Sequence, residues 1–310
     1  LFFNIICLIL LFVLFWNLLC SLSPSTSYSF SSFYVNNTAV GDLYDPGFDI
    51  RNSELCPASG EDLKFAILIP SARGNFHKRM AIRQTWGSFA QRKDIVVAFV
   101  VGLRAKMPSL MGHILSPQSK FPCVHRFVDS YANLTLKITA MLEWSVTFCS
   151  KAQFIIKADD DVFLNIPKLL DLVESEAVQA TRTIFGQLFK GWHPVRDRKD
   201  RNCIPETVYA PPMFPDYIRG LSYVMTGDLV RELYDKALES PYFLLEDAFY
   251  TGFLLQAVGG ERVGITAAFT YRIGSAIFKM TIGWASPGSR KKVTLHGVNG
   301  HDVNKPKIWS

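Results

Sequence analysis

The sequence predicts an α/β fold built on a mostly parallel central sheet. Two observations carry that prediction: short apolar runs bounded by turn residues, and stretches of helical spacing that alternate with them along the chain. KFAILIP, ending at Pro70, is a short buried-strand pattern. Phe76–Trp86 has helical spacing, and Gly87 is placed to end the helix. DIVVAFVVG and CVHRFVD read as further strands, and NLTLKITAMLEWSVTFC as a helix. QFIIKADDD reads as a strand that runs into an acidic turn, followed by helical IPKLLDLVESEAV with Pro167 in its first turn. Residues 189–220 are basic, aromatic and proline-rich, which predicts loop. Helices are expected over Asp228–Leu238 and Asp247–Val258, then short strands and turns over 262–298. No internal repeat is present.

The 310 residues allow one large domain or two small ones, and the apolar fraction of 49% supports a substantial core. Residues 1–22 are a transmembrane signal anchor by pattern. LFFNIICLILLFVLFWNLLC is apolar apart from Asn4 and Asn17 and has the length that spans a bilayer. A cleaved signal peptide, with its shorter apolar region, is the alternative. Residues 23–63 are Ser-rich at first and lack apolar periodicity, which predicts a flexible stem. The folded domain is then 64–310. The net charge of +6 is uneven: 21–63 carries −5 and 64–310 carries +11. A basic domain suits an anionic small molecule such as a nucleoside diphosphate. Nucleic acid is excluded, because no zinc-finger, RRM or basic-helix pattern occurs.

Cys7 and Cys20 fall in the membrane segment, leaving Cys56, Cys123, Cys149 and Cys203 without CxxC spacing. That speaks against zinc and for one or two disulfides in a secretory lumen. Asn36-Asn37-Thr38 is a glycosylation sequon. Asn133 begins another, and equally reads as the cap of the helix that follows it.

Asp159, Asp160 and Asp161 follow the apolar strand at what would be its carboxyl end, where open α/β sheets bind ligands. Three adjacent carboxylates repel one another unless something positive joins them. Alternation puts Asp159 and Asp161 on one side with Asp160 opposed. Such oxygen donors suit Mn²⁺ or Mg²⁺; the plainer alternative is a solvated turn capping the next helix. Glu246 and Asp247 open a helical pattern, where acids complement the helix dipole or serve as a general base. His296 is a candidate third metal ligand, with His301 as the competing choice. Arg79 and Arg83 are one turn apart on a helix face and could grip a diphosphate. Trp86 belongs to the core by pattern.

RMAIRQTWG, DSYANLTLKI, FIIKADDDVFLN, GDLVRELYDKAL, LEDAFYTGFLLQAVG and KKVTLHGVNGHDV occur in that order across 64–310. Together they resemble the β-1,3-galactosyltransferase and β-1,3-N-acetylglucosaminyltransferase family, glycosyltransferase family 31, which includes the fringe-related enzymes. The resemblance implies a GT-A-type nucleotide-sugar-binding fold behind a single-pass type II Golgi membrane anchor, with the catalytic domain lumenal. It implies a UDP-sugar donor, a glycan acceptor on glycoprotein or glycolipid, and Mn²⁺ (or Mg²⁺) as cofactor. Galactose is the first donor choice and N-acetylglucosamine the second; a non-catalytic transferase-like binding protein is the remaining alternative. Asp161, with Asp159, Asp160 and His296, matches the metal site, and Asp247 matches the base with Glu246 beside it. Arg79, Arg83, Trp86 and Lys137 fall on the donor side. Trp192, Gly220 and Tyr223 fall on the acceptor side. Two departures stand out. Ile218–Tyr223 lacks the family's Cys and second Gly, which leaves Cys203 as an alternative partner for Cys149. Phe249 stands where the family has Tyr.

Overall fold

A computed structural model describes residues 38–102, 123–125, 129–175, 179–265 and 270–272. The predicted anchor, His296, His301 and the Asn36 sequon lie outside them. Among the described residues no helix is long and apolar enough to cross a membrane.

The centre is a seven-stranded sheet of β1 (Phe65–Pro70), β2 (Ile95–Gly102), β3 (Cys123–His125), β4 (Phe154–Ala158), β6 (Thr183–Phe189), β7 (Tyr217–Thr226) and β8 (Glu261–Gly264). Its order is β3-β2-β1-β4-β7-β6-β8. β1 pairs in parallel with β2 and β4, β2 with β3, and β6 with β8. β7 alone runs against its neighbours β4 and β6. The sheet is therefore mixed, with the reversed strand in its interior. β5 (Val162–Leu164) and β9 (Thr270–Arg272) form a separate antiparallel pair.

Both faces of the sheet are covered, which is why its strands read as continuous apolar runs. On β1, Ala66 and Leu68 face one core cluster while Phe65, Ile67 and Ile69 face the other. The first cluster is closed by α3 (Leu134–Phe148) and α5 (Gly227–Glu239). The second is closed by α2 (Phe76–Gln84) and α4 (Ile166–Ser175).

α3 shows why the chain before the sheet is not a free stem. Every residue from Thr135 to Ser145 is buried, so this helix has no face left for water. Its outer side is covered by residues that composition assigns to the stem. Val40, in the single helical turn α1 (Val40–Leu43), is fully buried against this core. The Tyr44 hydroxyl donates to Glu143, and Trp144 Nε1 donates to the Arg51 carbonyl at 2.7 Å. From Thr38 onward the expected flexible stem is thus packed chain. Its contacts are isolated anchor residues rather than a periodic stripe, so no pattern announces them.

Cys56 is bonded to Cys149 at the end of α3. Cys203 is free, which corrects the alternative pairing of Cys149 with Cys203. The bridge closes a sequence span of 93 residues and ties the N-terminal segment to the domain. Replacing both Cys56 and Cys149 by Ser should lower the unfolding free energy by about 3–5 kcal/mol. Urea unfolding under non-reducing conditions measures it, and an unchanged midpoint would show that the bridge does not hold the segment.

Candidate active site

The chain leaves β1 for β2 on one side and returns to β4 on the other. The carboxyl ends of β1 and β4 therefore flank the switch point at which open α/β sheets take their ligands. Ser71 follows β1 there, and the acidic turn follows β4.

The three carboxylates of that turn have different partners. Asp160 accepts from Ser71 Oγ at 2.8 Å, Asn75 Nδ2 at 2.7 Å and Lys78 Nζ at 2.8 Å, so it is pinned to the loop between β1 and α2. Asp161 lies 3.9 Å from the same ammonium, with 26% of its side chain open. Asp159 turns the other way, to Lys157 Nζ at 2.7 Å. Asp160 is thus opposed to Asp159, as alternation expects, and Lys78 reaches both Asp160 and Asp161.

Lys157 is the residue that the sequence did not announce. It sits on β4 with 1% of its side chain exposed. Its ammonium donates to Asp159 Oδ1, to Glu246 Oε1 at 2.8 Å and to the Gly220 carbonyl. Burial alone would lower its pKa, but Asp159 and Glu246 more than reverse this and hold it above the usual lysine value. A charged residue inside the apolar run FIIKA was the available signal. Glu246 is completed by the Tyr223 hydroxyl, which donates to Oε2 at 3.2 Å.

Asp247 stands beside this hub at the start of a π-helical turn, Ala248–Leu254. Such turns recur at functional sites. Its two carboxylate oxygens accept from backbone N–H groups, Oδ2 from Gly220 and Oδ1 from Ala248, each at 2.9 Å. Burial pushes its pKa up against those bonds. Gly220 can approach because β7 bulges: Gly186 faces Tyr223 and Leu188 faces Ile218, so Arg219–Ser222 stand where β6 offers only Gln187. A Cβ on Gly220 would lie 3.0 Å from Glu246 Oε1 and 3.1 Å from Asp247 Oδ2. One glycine meets that constraint, and Ser222 in place of a second leaves the bulge intact. Phe249 is fully buried, its ring packed on Tyr250.

Tyr131 lies within the field of these carboxylates. Partial burial raises its pKa, and the negative field of Asp247, Glu246 and Asp159 adds to this. Its hydroxyl donates to Asn202 Oδ1 at 2.6 Å, and Arg201 lies 4.7 Å over its ring.

The residues expected on the donor side brace this site from within. Arg79 donates to Ser71 Oγ at 2.9 Å and to the carbonyls of Ala72 and Arg73, shaping the loop after β1. Arg83 lies 4.8 Å over the Phe99 ring. Trp86 is core, its Nε1 donating to the Val162 carbonyl at 3.1 Å. Lys137, also buried, donates to Asp129 and to the Ser71 carbonyl. The cation nearest Asp160 and Asp161 is instead Lys78, one residue before Arg79. Trp192 is 51% exposed on the far rim.

Among the described residues no three His, Cys, Asp or Glu side chains converge as a metal cage. Carboxylate oxygen is nevertheless the donor that Mn²⁺ and Mg²⁺ take, and Asp161 offers it at the mouth of the recess.

A hydrogen-bonded carboxylate, an acidic turn and basic side chains thus gather at the switch point, where open α/β folds bind and transform ligands. A family model described as galactosyltransferase matches residues 77–265, and the chain belongs to that family. It is a glycosyltransferase. It is 29% identical over 280 residues to lactosylceramide 1,3-N-acetyl-beta-D-glucosaminyltransferase of Mus musculus, covering 83% of this chain and 73% of that protein. It is 29% identical over 302 residues to beta-1,3-galactosyltransferase 1 of Homo sapiens, covering 93% and 89%. Among solved structures, 4-diphosphocytidyl-2C-methyl-D-erythritol synthase of Anaerococcus prevotii shares 13% identity at a TM-score of 0.41, over 68% of this chain and 93% of that one.

Removing Lys157 strands the buried Glu246 carboxylate and leaves the half-buried Asp159 without its partner. Lys157→Met should cost about 3–5 kcal/mol of stability. Adding Glu246→Leu should recover part of that loss, because one of the stranded charges goes with it. Denaturant unfolding of the two variants decides it; a single variant as stable as the parent contradicts the hub.

Proposed function

We propose that this chain is an inverting hexosyltransferase that moves galactose from UDP-galactose to a glycan hydroxyl in β-1,3 linkage. The observation that carries the proposal is Asp247. Its carboxylate is aimed by two backbone N–H groups, raised in proton affinity by burial, and set beside the switch-point recess. Each oxygen keeps a lone pair for a substrate proton. The β-1,3 linkage and the choice of galactose follow the named relatives and the family matched. N-acetylglucosamine is the second donor choice, because a relative of equal identity transfers that sugar.

Asp247 takes the proton of the acceptor hydroxyl. The freed oxygen pair forms the bond to the anomeric carbon, and the bond from that carbon to UDP breaks with its electrons going to the diphosphate. One displacement needs one base and leaves nothing covalent on the protein. Lys157 holds Glu246 and the Gly220 carbonyl, and the Gly220 N–H holds Asp247, so the base cannot drift. Lys78 adds positive charge where the diphosphate would lie. A divalent cation held by Asp161, with His296 as the candidate further ligand, would neutralise charge on the departing diphosphate. Asp159 and Asp160 would be the further carboxylates of that site, held in place by Lys157 and by Ser71, Asn75 and Lys78.

The apolar segment 1–22 supports a type II Golgi anchor with the domain in the lumen. The Cys56–Cys149 disulfide is consistent with an oxidising compartment.

The test is UDP release from UDP-galactose, UDP-N-acetylglucosamine and UDP-N-acetylgalactosamine, with Mn²⁺ or EDTA, against β-galactosides and N-acetylhexosaminides. One donor should turn over, and only with metal. Asp247→Asn keeps the side-chain shape and removes the base, so kcat should fall by about 10²–10⁴-fold while UDP affinity is unchanged. Turnover retained in that variant would remove Asp247 from the role.

A further inference from the structure

The π-helical turn that begins after Asp247 has a dedicated partner on another strand. In an α-helix the Leu255 N–H would return to the Thr251 carbonyl, four residues back. Here it goes to the carbonyls of Tyr250 and Gly252 instead. The Thr251 carbonyl, passed over in this way, accepts from Arg262 Nε at 2.6 Å, and the Gly252 carbonyl accepts from Arg262 Nη2. Arg262 stands on β8, opposite Ile184 of β6. Its planar fork thus reaches from the sheet edge and serves two successive carbonyls of the turn. The Asp216 carboxylate offsets part of the cost of burying this charge.

The same turn is bolted to the base. Thr251 is fully buried, and its hydroxyl accepts from the Ile218 N–H at 2.8 Å and donates to the Asp247 carbonyl at 2.6 Å. Ile218 lies two residues before Gly220 on β7, and the Gly220 N–H holds the Asp247 carboxylate. Gly252 lets the turn press on the start of that strand: a Cβ there would lie 3.2 Å from Tyr217 Cβ. Return to an α-helical register would take one residue out of the turn, and one residue is about 100° of helix rotation. Asp247 would then swing off the Gly220 N–H.

We propose that Arg262 is a positioning residue of the transfer reaction. It keeps the Thr251 carbonyl from the Leu255 N–H, holds the turn in its π-helical form, and so aims Asp247 at the acceptor hydroxyl. Its role in the reaction rests on Asp247 being the base of the proposed transfer, while its hold on the turn is a property of the fold that can be measured without turnover.

The experiment compares the parent protein, Arg262→Met and Arg262→Lys. Met keeps the length of the side chain and removes its donors; Lys keeps the charge but replaces the fork with a single donor point. UDP release gives kcat, KM and their pH profiles. Amide hydrogen exchange reads the Gly220 N–H, with Ile67 in β1 as the control for folding. Arg262→Met should lower kcat roughly 10²-fold, the effect of a base displaced by about 1 Å, with donor KM unchanged. The acid limb of its pH profile should move to higher pH, because the Gly220 and Ala248 N–H bonds that lower the Asp247 pKa are loosened. The Gly220 N–H should exchange faster while Ile67 stays as in the parent. Arg262→Lys should recover part of each change. A folded Arg262→Met with the kcat and acid limb of the parent overturns the inference and leaves the transferase standing. A fall in kcat with the acid limb and Gly220 exchange of the parent also overturns it, because Asp247 would not have moved. No turnover from any donor in the parent sinks the transferase; faster Gly220 exchange in Arg262→Met then upholds the hold on Asp247, and parent-like exchange overturns it. If Arg262→Met does not fold, Arg262→Lys decides by the same readings.

Discussion

A single buried ammonium organises the chemistry of this fold. Lys157 lies on the central strand β4, out of contact with water, and its charge is balanced by Asp159 on its own chain and by Glu246 across the sheet. Buried ions are costly unless paired and fully hydrogen-bonded. Here the pairing also sets geometry. The third bond from Lys157 goes to the Gly220 carbonyl, and the N–H of the same residue holds Asp247. The acidic turn at the switch point and the carboxylate proposed as base are thereby fixed to one another through a few bonds. Both ends of the candidate site share one rigid floor.

That floor depends on two further constraints. The first is the reversed strand. A parallel β7 would carry Gly220 elsewhere; run backwards beside β4, it sets Tyr223 opposite Lys157 and Ser222 opposite Ala158. The bulge against β6 then swings Gly220 towards Asp247. The second is the cover over α3. Lys137 and Ser71 couple α3 to the loop that grips Asp160. α3 itself is seated by Tyr44, Arg51 and the Cys56–Cys149 bridge. The N-terminal segment thus acts on the site through a helix it never crosses.

Much of this was legible beforehand. Strands buried on both faces leave unbroken apolar runs, and β1, β2 and β4 were read from them. The acidic triplet stood out because three like charges after an apolar strand are costly. Asp247 was reached through the resemblance, since an acid at a helix start has a sufficient local explanation in the helix dipole. Three things were not legible. The separate partners of Asp159 and Asp160 come from distant segments, and no periodicity encodes those. The packing of residues 38–63 rests on scattered anchors such as Val40 and Tyr44. Lys157 needed partners from 63 and 89 residues away, Gly220 and Glu246, before its charge made sense. Arg79 and Arg83 show the reverse case. Their spacing suits a diphosphate; within the fold Arg79 also braces the loop after β1 and Arg83 lies over Phe99.

The central claim is a single displacement assisted by one base, and the stereochemistry of the product tests it most directly. Proton NMR of the glycan formed from an α-linked UDP-sugar reports the configuration at the new anomeric centre. One base at Asp247 and no covalent intermediate predict a β-linked product. An α-linked product would require two displacements and a nucleophile on the protein, and would contradict the mechanism.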